Sequence, residues 1–436
     1  MMNRAIRIVT TGVGLCVLAV AGIGAVNPGA HRSGATSNKE SSSAVTFTKD
    51  VAPIFYSRCV ECHRPGEVAP MSLITYKDAR PWARSIKEMV ASRAMPPWLA
   101  SPKYGHFSND RRLSDAEIKT ISAWVDAGAP EGDAKALPPA PSFVEGWTIG
   151  KPDIVFKLEK PMSVPAKGVV PYLYVTVPTN FTEDKWVQAA EIRPGNRGIV
   201  HHVIVFVQDP KGGSDPEAGK IGQKGERGFK LVGFAPGEQP KIYPAGMAKL
   251  VKAGSKLVFQ LHYTPNGTEG TDQSYVGLIF AKQPVHRIAL TGTATNAKFV
   301  IPPGDPNYEA KSSWTAPTDV RILDLMPHMH FRGKDFTYTA VYPDGRSEVV
   351  LQVPKYDFNW QLVYRLKEPL FLPKGSRLDC VAHFDNSAGN KYNPDPTKEV
   401  RWGPQTWEEM MIGWFDYVED KAITDSEPAA ASARGK

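Results

Sequence analysis

Residues 325–334 read Leu-Met-Pro-His-Met-His-Phe-Arg-Gly-Lys. Met326, His328 and His330 are spaced by two, so in an extended segment all three side chains point to one face. Two imidazoles at this spacing can bind one metal ion. We therefore expect an extended segment here that provides half of a metal site.

The sequence on both sides of this stretch has the pattern of a β-sandwich protein. From Ile154 onward, short β-branched and aromatic runs recur between Pro, Gly and Asn turns, and helical periodicity is scarce. We predict two all-β jelly-roll sandwich domains, over residues 151–285 and 286–420, with a boundary near Pro284. The clearest strands are expected at Leu173–Val177, Val200–Val207, Lys256–Thr264, Tyr275–Phe280, Phe336–Val341 and Arg377–Phe384.

Length and composition are those of a multidomain globular protein. The chain has 436 residues, of which 42% are hydrophobic, and its net charge is +7. This length predicts several domains, and the charge is mild when spread over it. No run of Lys and Arg forms a basic stripe, so we expect no nucleic-acid partner.

The N-terminus has the pattern of an export signal. Arg4 and Arg7 precede an uncharged stretch with small residues near its end, which is typical of a secretory signal peptide. An uncleaved membrane anchor is the alternative. The segments assigned in this way are a signal peptide or anchor at 1–30, a flexible Ser-rich spacer at 31–45 and a flexible tail at 421–436. We therefore expect an exported protein, in the periplasm or outside the cell.

A second motif lies near the start of the predicted mature chain. Cys59-Val-Glu-Cys62-His63 is a CxxCH sequence, which is the attachment signature of a covalent haem c. A zinc half-site would need a second Cys or His pair nearby, and a redox dithiol would lie in a βαβ context. Neither is present, so we predict haem, in a small all-α domain at 46–135 that a Pro-rich linker at 136–150 follows.

The residues around the CxxCH motif are helical by pattern. Ser114 and Glu117 form a capping box ahead of an apolar stripe. A short helical domain with CxxCH near its start resembles class I cytochrome c, in which a methionine is usually the sixth ligand. Met71 follows His63 closely, whereas Met95 lies in a Met-Pro-Pro loop similar to that of many bacterial cytochrome c domains. We therefore choose Met95 as the second axial ligand of the haem iron.

Five further histidines fall in three short clusters, each in or beside a strand-like run. His201 and His202 are adjacent and face opposite sides of a flat strand, so they can bind one metal ion only where the strand ends, twists or bulges. His262 is the natural third ligand of that pair. His328 and His330 share a face and lack a third ligand nearby.

The third ligand of the HxH pair is expected from the segment Trp407-Glu-Glu-Met-Met-Ile-Gly-Trp414. Met410 and Met411 are both candidates. Three imidazoles in one site, and two imidazoles with a thioether in the other, suit copper better than zinc or magnesium, and the soft sulfur favours Cu(I). The sequence therefore predicts two copper ions and one haem c.

These motifs resemble those of the copper type II, ascorbate-dependent monooxygenases, the family of the peptidylglycine and dopamine β-monooxygenases. The resemblance covers roughly residues 155–420 and rests on four motifs in the family's order. They are His201-His-Val-Ile-Val-Phe206, Gln260-Leu-His-Tyr263, His328-Met-His-Phe-Arg-Gly-Lys334 and Glu409-Met410.

The resemblance implies two jelly-roll sandwiches that face each other across an open cleft. It also implies the roles of the ligands. His201, His202 and His262 would hold the copper that transfers electrons, whereas His328, His330 and Met410 would hold the catalytic copper that binds O2 and substrate.

Departures from the family pattern bear on the substrate. Met411 stands where animal members have a cysteine, and Cys380 is left without a partner. Met326 stands where peptidylglycine enzymes have the arginine that binds the substrate carboxylate. Trp414 and Asp416 stand where those enzymes have tyrosine and methionine. A peptidylglycine substrate is therefore not expected.

The function expected from these observations is a monooxygenase that hydroxylates a C–H bond of a small substrate with O2. An external donor, either a redox protein or an ascorbate-like reductant, would supply electrons through the haem and the first copper. One alternative is an electron-transfer or copper-handling protein without oxygenase activity. Another is a structural β-sandwich joined to a cytochrome.

Overall fold

The computed structural model describes most of the chain, over residues 44–67, 69–143, 146–210, 219–221, 226–236 and 238–421. All of these described residues belong to one compact unit. The predicted signal segment and nearly all of the predicted spacer and tail lie outside the described residues. Within the described ranges, no helix combines the length and apolarity needed to cross a membrane.

Helices are confined to the first part of the described chain. They are α1 (Ala52–Arg58), α2 (Tyr76–Ala79), α3 (Ala83–Ala91) and α4 (Asp115–Asp126), with short π or 3-10 turns at Phe47–Val51, Arg80–Trp82 and Ala134–Ala136. The predicted capping box is confirmed, because the Ser114 and Glu117 side chains each accept a hydrogen bond from the other's backbone N–H. Phe47, Phe55 and Trp124 pack together in a separate small core. The other described residues lie mostly in β-sheet, so the predicted β-rich fold is confirmed, whereas the predicted all-α domain at 46–135 is not evident as a separate helical domain.

Ten of the first twelve strands form a sandwich of two sheets, and β2 pairs with β11 in a separate two-stranded sheet. One sheet has the order β1-β12-β4-β9, with β8 beside β4, and the other has the order β3-β10-β5-β7-β6. Both sheets contribute to one core, in which Ile192 and Leu278 meet Val205 and Phe259. The strands are β1 (Ile154–Lys157), β2 (Met162–Val164), β3 (Leu173–Pro178), β4 (Lys185–Arg193), β5 (Val200–Gln208), β6 (Gly219–Ile221), β7 (Glu226–Phe234), β8 (Lys241–Ile242), β9 (Met247–Val251), β10 (Lys256–Tyr263), β11 (Gly270–Asp272) and β12 (Tyr275–Phe280).

Eight of the remaining strands form a second sandwich, and β14 pairs with β21 in a separate two-stranded sheet. Its sheets have the orders β13-β22-β16-β19 and β15-β20-β17-β18, and they share a core in which Leu325 and Phe415 meet Phe336 and Leu378. The strands are β13 (Arg287–Asn296), β14 (Val300–Ile301), β15 (Tyr308–Thr315), β16 (Val320–His328), β17 (Gly333–Val341), β18 (Ser347–Val353), β19 (Tyr364–Leu372), β20 (Arg377–Phe384), β21 (Val400–Arg401) and β22 (Met411–Glu419). The six strands expected most clearly from the sequence are all present.

The two sandwiches share one sheet. Strand β9 pairs in parallel with β13, through Met247 opposite Arg287 and Ala248 opposite Ile288. The sheets β1-β12-β4-β9 and β13-β22-β16-β19 therefore form one nine-stranded sheet, counting β8. The predicted boundary near Pro284 lies just before β13, at this junction.

A buried lysine crosses the same junction. Lys249 on β9 is 1% exposed, and its Nζ donates to Oγ1 of Thr291 on β13 at 2.6 Å. The same ammonium lies 3.4 Å from Oδ1 of Asp416 on β22, which also pairs with Lys241. Burial lowers the pKa of Lys249 to about 8, although Asp416 raises it. Because solvent does not reach the ammonium group, its charge is stabilised mainly by these hydrogen-bond and ion-pair partners.

The segment between α3 and α4 packs into the second sandwich. Trp98 and Phe107 belong to that core and make edge-to-face contacts with Tyr364 on β19. Phe107 also forms an isolated β-bridge with Leu366. Part of the region assigned to the helical domain is thus continuous with the core of the second sandwich.

Candidate metal centre

His201, His202 and His262 meet at one end of the paired strands β5 and β10. His262 lies opposite His202, and Tyr263 lies opposite Val200, so His201 is an extra residue in β5. This bulge lets two adjacent histidines turn toward the same space, as the sequence required. Their ring centroids lie 4.8–5.4 Å apart.

The nitrogens of these three rings converge. One ligand atom from each residue lies within 4.8 Å of the others, and no other group of three His, Cys, Asp or Glu side chains does so among the described residues. Nε2 of His201 and Nδ1 of His262 are buried without a hydrogen-bond partner, which is costly unless another ligand satisfies them. Burial lowers the pKa of His201 to about 4 and that of His262 to about 2. Both imidazoles are therefore neutral at pH 7, as metal ligands must be.

His328 and His330 form the second group, although only His328 lies in a strand. Strand β16 ends at His328, so the pairing of this strand with its neighbours does not continue to His330. The reason is that the His330 N–H donates to the side chain of Glu409 instead of a strand partner. The two ring centroids still lie 5.3 Å apart, and both side chains are buried.

Hydrogen bonds fix the orientation of both rings. Nδ1 of His328 lies 2.8 Å from Oε1 of Gln361, and Nδ1 of His330 lies 3.1 Å from the carbonyl oxygen of Glu408. Each acceptor selects the tautomer with hydrogen on Nδ1, which leaves the Nε2 lone pair for a metal. Nε2 of His330 is buried and has no partner. Burial lowers the pKa of His328 to about 4 and that of His330 to about 3, so both rings are neutral.

Glu409 joins the HxH segment to the methionine pair 80 residues later. Its carboxyl group is fully buried and accepts hydrogen bonds from the N–H groups of His330 at 2.8 Å and Arg332 at 2.6 Å. The next residue, Met410, is half-buried, whereas Met411 is fully buried in the core of the second sandwich. Of the two candidate methionines, Met410 is thus the one whose side chain is not part of that core.

Phe358 contacts both histidine groups. Its ring stacks on His201 with a centroid distance of 5.0 Å and an interplanar angle of 11°, and it meets His262 edge-on at 6.2 Å. The same ring contacts His330 at 5.9 Å. One buried phenyl ring therefore links the two groups.

A small cavity of about 30 Å³ lies between the sandwiches, close to the HxH segment. Met326 and Trp414 line it, and Nζ of Lys230 on β7 lies 3.1 Å from Sδ of Met326. The amine of a lysine side chain thus lies beside Met326.

The CxxCH motif follows helix α1. Cys59 and Cys62 are both free of disulfides, and burial raises the pKa of the Cys59 thiol to about 12. A reactive dithiol has a lowered thiol pKa, so this environment does not favour the redox-dithiol alternative. Nδ1 of His63 lies 3.2 Å from the carbonyl oxygen of Met71, an arrangement that leaves Nε2 for iron.

This contact also bears on the axial methionine. The main chain of Met71 is thus held beside the His63 ring, and Met95 as the second axial ligand stays a prediction. Met95 is half-buried after α3, and its N–H donates to the carbonyl of Met89.

Two other residues lie apart from the metal-binding groups. Cys380 is buried in the core of the second sandwich. His383 projects from the same strand beside Asp335, with 2.7 Å between Nδ1 and Oδ1. Neither residue contacts the histidines of the two groups.

Several residues with direct contacts to the histidines were not predicted in these roles, among them Tyr172, whose ring centroid lies 4.6 Å from that of His262. Phe358 and Gln361 lie in the loop before β19, where no periodic pattern distinguishes them. Glu409 belongs to the Glu409-Met410 motif, but its hydrogen bonds to the backbone of the HxH segment are visible only in the three-dimensional structure.

Comparisons with known proteins identify no family. No family model matches the chain, and no curated protein matches it. Similar solved structures include PNGF-II, with 7% identity over 61% of this chain and 65% of that protein and a TM-score of 0.28. They also include the major capsid protein of bacteriophage PM2, with 9% identity over 63% and 99% and a TM-score of 0.25, and allantoicase, with 11% identity over 52% and 79% and a TM-score of 0.16. TM-scores this low carry no argument about function.

Proposed function

We propose that the protein is an exported, copper- and haem-dependent monooxygenase that hydroxylates a C–H bond of a small substrate with O2. One observation carries the proposal. Two histidine groups, assembled from distant parts of the sequence, contain buried imidazole nitrogens without a hydrogen-bond partner, and one phenyl ring contacts both groups.

In this proposal His201, His202 and His262 hold one copper ion, and His328, His330 and Met410 hold the other. Copper supplies the chemistry that side chains lack, because each ion stores one electron as Cu(I) and an ion with an open position activates O2. The chain's own contribution is to keep the imidazoles neutral, to fix the tautomers of His328 and His330, and to exclude water around them. A thioether beside two imidazoles favours the reduced ion.

The CxxCH segment fits a haem that passes electrons to these sites. Cys59 and Cys62 would form the thioether bonds, and His63 and Met95 would bind the iron. The Met71 carbonyl orients His63 for that role. An external redox protein or small reductant would supply electrons to the haem, and export rests on the signal pattern of residues 1–30.

A second candidate is a copper-containing electron-transfer protein without oxygenase activity. The observation in its favour is the burial of the sites, since His202, His330 and Phe358 are all buried. A carrier needs closed sites, whereas an oxygenase needs one open position for O2.

Carbon monoxide distinguishes the two candidates without knowledge of the substrate. The copper-loaded, reduced protein is exposed to CO, and the C–O stretch of a copper adduct is recorded by infrared spectroscopy. An oxygenase gives one adduct that His328→Ala abolishes and His201→Ala retains, whereas a carrier gives none. His383→Ala is the matched control, because His383 lies on the outside of β20 and its loss should leave the adduct unchanged. Metal analysis that found iron but no copper would exclude both candidates.

A further inference from the structure

The haem-attachment segment touches the first sandwich through an ion pair. Oε2 of Glu67 lies 3.0 Å from Nη1 of Arg197, and the two side chains are 19% and 22% exposed. Glu67 also accepts from Arg64 at 3.1 Å. Both members of the pair are therefore largely withdrawn from solvent, where a charged contact is screened less than at an open surface.

The position of this pair along the chain is informative. Glu67 follows His63 by four residues, and Arg197 precedes His201 by four. The Arg197 guanidinium also lies over the Phe234 ring at 5.4 Å, which holds it on the end of β7. The pair thus joins the predicted haem ligand to the strand that begins the first histidine group.

A second contact leads from the same segment toward the HxH group. Gln239 donates to Glu61 at 2.7 Å, in an exposed bond, and accepts from Arg365 at 3.2 Å. Arg365 lies opposite Asp324 in the pairing of β19 with β16, and His328 is four residues further on. This connection needs two side-chain contacts and a strand pairing, so it is the longer of the two.

We propose that the Glu67–Arg197 pair positions the haem-attachment segment so that the His201, His202 and His262 site is the first electron acceptor of the haem. This inference rests on the proposed function. In the step, one electron leaves Fe(II), which becomes Fe(III), and reduces Cu(II) at that site to Cu(I). No bond is formed or broken and no proton moves. Arg197 and Glu67 are positioning residues, because neither would touch either metal.

The test measures electron transfer within the full-length holoprotein. Reduced haem and oxidised copper are generated anaerobically, and haem re-oxidation is followed by its visible absorbance in a stopped-flow instrument. We expect Glu67→Gln and Arg197→Gln each to slow this phase by at least about tenfold. A hydrogen bond between charged groups changes the equilibrium between the docked and undocked segment by that factor or more. The double variant should be no slower than either single variant, because both act through one contact.

Controls separate positioning from damage. Glu61→Gln changes the neighbouring contact in the same segment and should leave the rate near that of the wild type. The haem midpoint potential and the copper content should be unchanged in all variants. In protein without copper, backbone hydrogen exchange over residues 60–67 should rise in Arg197→Gln, which reports the contact independently of any metal.

The outcomes are distinct. An unchanged rate of haem re-oxidation together with unchanged backbone hydrogen exchange in Arg197→Gln would overturn the inference and leave the proposed function intact. The same holds if Glu61→Gln were the only variant with slower haem re-oxidation. Failure of the wild type to bind copper would overturn the proposed function, and with it this electron acceptor, whatever the exchange experiment shows about the ion pair.

Discussion

Replacing Glu409 by glutamine should weaken copper binding at the HxH site and leave the other site unaffected. The carboxyl group of Glu409 is fully buried, and its two oxygens accept separately from the backbone N–H groups of His330 and Arg332. Glutamine has the same shape, but only one of its two terminal atoms accepts a hydrogen bond. One backbone N–H would therefore face an NH2 group in a site that water does not reach.

The magnitude follows from these two bonds. Leaving a buried donor unsatisfied costs about 1–3 kcal/mol, so the free energy of unfolding should fall by that amount. The HxH segment would also lose one of the two hydrogen bonds that join it to residue 409, which precedes the proposed ligand Met410. Loss of an outer partner of this kind typically lowers metal affinity about 10–100-fold.

The assay is a Cu(I) titration against a competing chelator, which resolves two affinities in the wild type. Glu409→Gln should weaken one of them and leave the other unchanged. Glu408→Gln is the matched control, because its side chain binds only the Gln405 N–H while its main-chain carbonyl still binds His330. Wild-type affinities at both sites in Glu409→Gln, with a wild-type unfolding midpoint, would refute the argument.

Two further predictions concern the stability of the fold. Burial alone would raise the pKa of Asp416, but Lys241 and Lys249 lower it below its usual value. The stability that this carboxylate contributes is therefore present above about pH 4 and is lost as the pH falls, so urea titrations at acid pH should show a fall in the free energy of unfolding that is absent from Asp416→Asn. At pH 7 the Asp416→Asn variant should itself be about 3–5 kcal/mol less stable than the wild type. A Cβ added at Gly413 would lie 2.7 Å from Sγ of Cys380, so Gly413→Ala should lower the free energy of unfolding by about 1–3 kcal/mol. Adding Cys380→Ala to the same chain should restore part of that loss. If the losses of the two single variants simply added in the double variant, the contact would be contradicted.

Much of the fold was predictable because local chemistry determines it. The β-branched runs gave the strands, and Ser114 with Glu117 gave the start of α4. The adjacent pair His201 and His202 even required a bulge, since two neighbouring residues in a regular strand cannot face one ion. The bulge occurs at His201, where β5 carries one residue more than β10.

What could not be predicted depends on contacts between distant segments. Nothing in the sequence near Phe358 indicates that its ring contacts two histidine groups, because it sits in an irregular loop. The packing of Trp98 and Phe107 into the second sandwich also crosses more than 250 residues of sequence. The HxH pair suggested a longer strand than β16, since alternation alone does not show that Glu409 binds the His330 N–H.

The parallel pairing of β9 with β13 has a consequence for how the molecule can move. Two sandwiches joined by a loose linker could open and close like jaws, and the spacing of their sites would then vary with ligand. Here such a motion would have to shear a hydrogen-bonded strand pair and draw the Lys249 ammonium away from Thr291 and Asp416. Any adjustment of the site is therefore expected from loops and side chains, such as the Phe358 ring, which contacts both histidine groups.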